Sequence, residues 1–199
     1  GDEPTGEEAI GRLITYSSYF GTYTVNEAKG YLTHHLQGNV RPPDSNNDNQ
    51  RFYEFSGDRL ILMPPPDDSG VVRRIIWQRV PDLPDAELTD THQHLFGFYR
   101  FSEITRTAAD GEMLPADQWE NAFIMYMPSG HMAVHISRPD RPVYTGSPTP
   151  AQALQSVQTY GSYFGPFSVH EDGGYLVHHR VGHLNPGQAG TDVQRFFEL

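Results

Sequence analysis

Along most of this chain, apolar and polar side chains alternate in short runs, and Gly, Pro, Asn and Asp break those runs every few positions. A period of two is the mark of half-buried strands. It predicts strands over 95–107, 121–127 and 131–137, the last stopped by Arg138-Pro139-Asp140-Arg141-Pro142. Residues 163–170 and 174–183 read as a hairpin across Glu171-Asp172-Gly173, and 193–199, 59–63 and 71–80 as further strands. A helical period is clearest over 149–161, where Pro150 follows a Thr cap and Ala153, Leu154 and Val157 share a face. A second amphipathic stretch runs from Glu7 to Ser18.

The pattern is written twice. Ser18-Tyr19-Phe20-Gly21 returns as Ser162-Tyr163-Phe164-Gly165, Gly30-Tyr31-Leu32 as Gly174-Tyr175-Leu176, and His34-His35 as His178-His179. Gln50-Arg51-Phe52 returns as Gln194-Arg195-Phe196. Every pair keeps one offset, 163 − 19 = 194 − 50 = 144, and 12 of the 21 positions in 18–38 are identical to 162–182. A period of that length is a domain-sized repeat. Combined over one period, the elements number eight strands and one helix, which suits an all-β, antiparallel barrel closed so that no edge is exposed. The copies are out of phase. Residues 1–81 are expected to hold the later part of one unit, 82–94 a linker, and 95–199 the front and middle of the next. The expectation is a fragment of a tandem protein, or a barrel completed by permutation or swapping. Unpaired strands near 193–199 would favour a homodimer, strand-swapped in form.

Several of these segments resemble a known family. Gly97-Phe98-Tyr99-Arg100-Phe101 is similar to the Gly-x-Trp opening of lipocalins, with Tyr in place of Trp. Gly130-His131-Met132, Arg138-Pro139-Asp140-Arg141-Pro142, Tyr163-Phe164-Gly165, Gly174 and His178-His179 follow in the order found in the bacterial and fungal lipocalin-like domain family. The resemblance implies an eight-stranded lipocalin-like barrel around a cavity. Among such barrels, some act as cofactor-free cyclases or isomerases.

Composition narrows the partners. The formal charge of −11 argues against sequence-independent attraction to nucleic acid or anionic lipid. No apolar run is long enough for a membrane-spanning helix. With no cysteine, disulfides and thiolate ligands are excluded, and a cytoplasmic location is the default expectation. No nucleotide or hydrolase fingerprint occurs, and no cofactor or metal is expected, since adjacent strand histidines point to opposite faces and cannot share one ion.

In a closed wall, one imidazole of each His-His pair must face inward. The face carrying Tyr175, Val177, His179 and Val181 is the more apolar, so His179 and its mate His35 are the expected interior histidines, with Tyr31 and Tyr175 beside them as proton-handling partners. Tyr19, Tyr23, Arg51, Tyr53, Tyr99, Phe101, Met125, Tyr163, Phe167 and Arg195 are the candidate ligand contacts. Three readings stay open at this point. One is a carrier of a small, mostly apolar organic molecule. Another is a cofactor-independent isomerase, cyclase or lyase. The third is a structural or interaction module whose barrel is filled by its own side chains.

Overall fold

The computed structural model describes residues 3–45, 47–116 and 118–198. In chain order, the elements are α1 (Gly6–Thr15), β1 (Tyr19–Asn26), β2 (Tyr31–Asn39), β3 (Asp48–Ser56), β4 (Arg59–Met63) and β5 (Ile75–Gln78). They continue with α2 (Asp90–Leu95), β6 (Gly97–Arg100), β7 (Arg106–Thr107), β8 (Met113–Leu114), β9 (Asn121–Tyr126) and β10 (His131–Ser137). Last come α3 (Pro150–Gln158), β11 (Tyr160–His170), β12 (Tyr175–Arg180), β13 (Gly182–His183) and β14 (Thr191–Phe196). Packing divides the chain into two units. One is Ser18–Pro81, and the other joins the segment before Ser18 to everything from Asp82 on.

The Ser18–Pro81 unit is a five-stranded antiparallel meander in the order β1-β2-β3-β4-β5. The larger unit holds a seven-stranded antiparallel sheet in the order β14-β12-β11-β10-β9-β6, with β13 paired to β11, and a separate β7-β8 ribbon. Mostly antiparallel β-structure is therefore as expected. The closed eight-stranded barrel is not: among the described residues each sheet is open, ending at β1 and β5 in one unit and at β14 and β6 in the other. The two copies differ at one edge. In the smaller unit β3 carries β4 on its outer edge, with Phe52 opposite Met63 and Tyr53 opposite Leu62. Among the described residues, its mate β14 pairs only with β12.

Helix ends repeat as faithfully as strands. Thr5 and Glu8 form a reciprocal capping box on α1, and Thr149 with Gln152 does the same on α3, again 144 residues apart. The two helices pack together in the larger unit through equivalent positions: Ala9 and Leu13 are buried on α1, Ala153 and Val157 on α3.

Two expected strands are shorter than their patterns. Residues 95–107 give β6, then a break before β7, and 71–80 are strand only at Ile75–Gln78. The expected 193–199 strand is observed as Thr191–Phe196, and Leu199 lies outside the described residues. The 174–183 strand is interrupted. Phe164 pairs with Gly182 and Phe167 with His178, so Val181 is left as a bulge. The same irregularity falls between Phe20 and Gly21 in the smaller unit. It brings backbone close to backbone: a Cβ on Gly165 would collide with the His179 carbonyl oxygen, and one on Gly21 with that of His35. Only glycine fits there.

The expected facing of β12 is reversed. Leu176 and His178 are the buried positions, at 2% and 1% exposure, while His179 points to the other face. Arg180 made the Leu176–His178 face look charged, but its guanidinium turns aside to the Thr191 hydroxyl and carbonyl. The interior imidazole is His178.

Candidate functional site

One face of the larger sheet gathers its apolar positions. Tyr126 of β9, Met132 of β10, Phe167 of β11 and Leu176 of β12 form a buried cluster, against which Ile124, Val134, Tyr163 and Phe197 pack. Alternation on paired strands places these side chains together: Val134 lies opposite both Ile124 and Tyr163, and Phe167 opposite His178. Beside this cluster the face leaves a cavity of about 650 Å³. Its apolar lining includes Trp119, Ile124, Val134, Ile136, Leu176 and Phe197.

The polar groups on this cavity converge on His178. Its Nε2 lies 2.8 Å from the Tyr126 hydroxyl and its Nδ1 3.0 Å from the Tyr163 hydroxyl. Burial is the main reason the His178 imidazole is held down to about 4, with Arg195 and Arg180 adding to the effect. The ring is neutral near pH 7, so it carries one N–H and one bare nitrogen. One tyrosine must therefore donate to it while the other accepts from it. The accepting tyrosine has its own O–H left to offer, and moving the ring proton reverses the two roles. Burial also pushes the Tyr126 phenol up from its ordinary value. The trio is thus a neutral, switchable pair of hydrogen-bonding hydroxyls in an apolar setting.

His183 adds a second neutral imidazole. It stacks on Tyr163 with ring centroids 5.6 Å apart and planes 6° from parallel. Its Nδ1 accepts from the Asn185 backbone N–H at 2.8 Å, and burial lowers its affinity for a further proton. In the neutral ring the N–H is therefore on Nε2. Arg100 and Arg195 also line the cavity.

Of the residues singled out in the sequence, Tyr99, Phe101, Tyr163 and Arg195 line this cavity. Tyr99 donates to the His94 carbonyl at 2.8 Å. Phe167 is in the adjoining core, edge-on to Tyr126. Met125 sits between the lining positions Ile124 and Tyr126 and does not reach the cavity. Tyr175 stacks on His170 and meets Phe196 edge-on, away from His178.

His179 belongs to a different arrangement. Its Nε2 is 3.1 Å from the Ser168 hydroxyl and its Nδ1 2.9 Å from Asp192. The repeat reproduces it in the smaller unit, with Thr24, His35 and Asp48 at 2.9 and 2.8 Å. These chains run across the strands, and the Asp side chains are 63% and 65% exposed. Solvent-exposed pairs of this kind contribute little. They tie neighbouring strands in register.

In the smaller unit, Tyr19 lies 3.0 Å from His34 Nδ1, the counterpart of the Tyr163–His178 bond. Tyr31 meets Phe52 edge-on, Tyr53 meets Phe55, and Arg51 donates to the Gln50 carbonyl. Tyr23 is 69% exposed. A cavity of about 310 Å³ at the β3–β4 turn is lined by Phe55, Leu60 and Trp77 among others, and by none of Tyr19, Tyr23, Tyr31, Arg51 or Tyr53.

Tyr126, His178, His183 and Trp119 are site residues that strand alternation did not single out. One signal was available. The Tyr–His spacing of 15 is kept in both copies, Tyr19 to His34 and Tyr163 to His178, which marks a cross-strand pair on one face. Among the described residues, no group of three or more His, Asp or Glu side chains is placed to hold a metal ion, and no helix is long and apolar enough to cross a membrane.

Comparison with known proteins gives one match. Residues 2–80 and 96–199 match the family described as the lipocalin-like domain, in two segments consistent with tandem copies. No curated protein and no solved structure matches the chain significantly.

Proposed function

The chain belongs to the lipocalin-like domain family, and from that premise we propose that it holds a small, mostly apolar organic molecule against the β9–β12 face. The observation that carries this reading is the 650 Å³ cavity, whose lining is apolar except for a few convergent polar groups. Its size and chemistry are those of small-molecule sites in general. A ligand there would bury its body on Ile124, Val134 and Leu176 and set one oxygen against the Tyr126–His178–Tyr163 trio, which takes either a donor or an acceptor at no ionic cost.

The test uses N-phenyl-1-naphthylamine, a neutral dye that fluoresces on leaving water. Saturable binding is expected in the wild-type protein. Ile124→Trp, which fills the cavity with an apolar ring, is expected to abolish binding while far-ultraviolet circular dichroism is unchanged. Dye affinity equal in both proteins sinks the reading.

A second reading, cofactor-independent proton transfer, is favoured by one feature, the bonding of both His178 nitrogens to phenols. A ketone with an acidic C–H would lose that proton to the Tyr126 oxygen. The Tyr126 proton would pass to Nε2, the Nδ1 proton to Tyr163, and the Tyr163 proton to the ketone oxygen. The enol forms, and every protein group ends neutral. Neutrality matters because the trio resists charge at either end. Deuterium uptake into a bound ketone, lost in His178→Gln and retained in His179→Ala, is the expected outcome. Equal uptake in all three proteins removes this reading.

A further inference from the structure

We infer that the ligand is an anion, an apolar or aromatic monocarboxylate whose carboxylate is held by Arg195 next to the Tyr–His–Tyr trio. The inference rests on the cavity reading above and adds the charge of the occupant.

Arg195 stands on β14 opposite Leu176, so its side chain leaves the sheet on the same face as Leu176 and His178, and it lines the cavity. Among the described residues, its one side-chain hydrogen bond is from Nη1 to the carbonyl of its neighbour Gln194, at 3.1 Å. Among the described residues, no carboxylate forms an ion pair with Arg195 or with Arg100, the other cation on the cavity. Acidic residues outnumber basic ones 25 to 14 in this chain. Arg195 is exposed at the edge of the cavity, so its guanidinium is open to an incoming anion with no carboxylate of the described residues on it. Its planar fork of donors matches a carboxylate in two parallel bonds.

The repeat keeps the same placement. Arg51 stands opposite Leu32 as Arg195 stands opposite Leu176, and it too donates Nη1 to the preceding carbonyl, at 2.8 Å. Both arginines lie close enough to disfavour a proton on the histidine of their own copy, His34 or His178. The Tyr–His–Arg set is thus kept in both copies, although a nearby position has changed from Leu36 to Arg180.

A monocarboxylate satisfies every part of this arrangement. Its charge pairs with Arg195, its body covers Ile124, Val134 and Leu176, and a carboxylate oxygen or a nearby hydroxyl receives the free phenolic O–H.

The test displaces bound N-phenyl-1-naphthylamine with two competitors sharing one ring system, 1-naphthylacetate and the neutral 1-naphthaleneethanol. The wild-type protein is expected to prefer the carboxylate. Arg195→Gln is expected to weaken the carboxylate about tenfold and leave the alcohol within about twofold, as for loss of one charge-assisted pair. Arg195→Lys, which keeps the charge, is expected to restore part of the preference, and it remains informative if the Gln variant fails to fold. Equal displacement by acid and alcohol, or a preference that survives Arg195→Gln, overturns the anion assignment and leaves the cavity reading standing. Absence of saturable dye binding in the wild-type protein defeats the cavity reading and this inference with it.

Discussion

The Tyr126 hydroxyl and the His178 Nε2 atom meet at 2.8 Å across 52 positions of chain, joining β9 to β12 over the intervening β10 and β11. The bond closes on a ring that is 1% exposed, so neither partner can turn to water when the other is removed. Tyr126→Phe is expected to destabilise the fold by about 1–3 kcal/mol, the cost of stranding a buried acceptor or donor. Tyr163→Phe is expected to cost a similar amount. Combined with His178→Leu, each should cost less than the sum of the single changes, because the three act as one network. Urea denaturation of the single and double variants measures this directly, and strict additivity contradicts a coupled trio.

Acid should weaken the protein through the same ring. His178 has a folded value near 4 against an unfolded value of 6.5. The unfolded chain therefore binds the proton first. Stability is complete above about pH 6.5, falls as the pH drops towards 4, and has lost that contribution below it, on the order of 3 kcal/mol for this one ring. Burial holds His135, 3.1 Å from Tyr160, down to about 4 as well, and it adds a decline in the same window. Chemical denaturation at pH 7, 5.5 and 4.5 is expected to show the fall, with a shallower slope in His178→Gln. A stability independent of pH over that range contradicts neutral buried imidazoles.

Much of the fold was legible, because local signals and the repeat agreed. The α3 region was readable from Thr149, Pro150 and the Ala153–Val157 face, and its capping box in turn has a mate at Thr5 and Glu8. The hairpin across Glu171-Asp172-Gly173 was readable from its turn residues. What failed was the choice between the two faces. Alternation groups His178 with Leu176 and His179 with Tyr175 and Val177, as observed. Judging the faces by polarity counted Val181, which the bulge takes out of the alternation, and Arg180, which turns sideways to Thr191. Nor does alternation reveal that the buried histidine is hydrogen-bonded at both ring nitrogens. That follows only from two tyrosines on other strands, one of them 52 residues away.

The bulge makes its own prediction. Gly165→Ala and Gly21→Ala drive a methyl group into a backbone carbonyl oxygen, and each is expected to destabilise by more than about 1 kcal/mol. Gly11→Ala is the control. Its added methyl meets nothing, it lies in the interior of α1, and it should stabilise by about 0.5–1 kcal/mol. Thermal melts of the three proteins decide the matter. A neutral Gly165→Ala would mean that the strands pair without the bulge.

The exposed Ser168–His179–Asp192 chain predicts the opposite of an active site. His179→Ala and Asp192→Asn should each change stability by less than about 1 kcal/mol, as surface pairs do. Dye affinity should stay at the wild-type value in both. Loss of ligand binding on either change would move the functional face to the other side of the sheet.

The most direct measurement is a ¹³C-methyl chemical-shift titration with N-phenyl-1-naphthylamine, following the Ile, Leu and Val side chains. Bound dye is expected to shift Ile124, Val134, Ile136 and Leu176 together, with one common saturation curve, and to leave Val177 and Leu32 unmoved. Shifts that scatter over both faces without saturating, or that gather on the Val177 face, contradict a ligand cavity beneath His178.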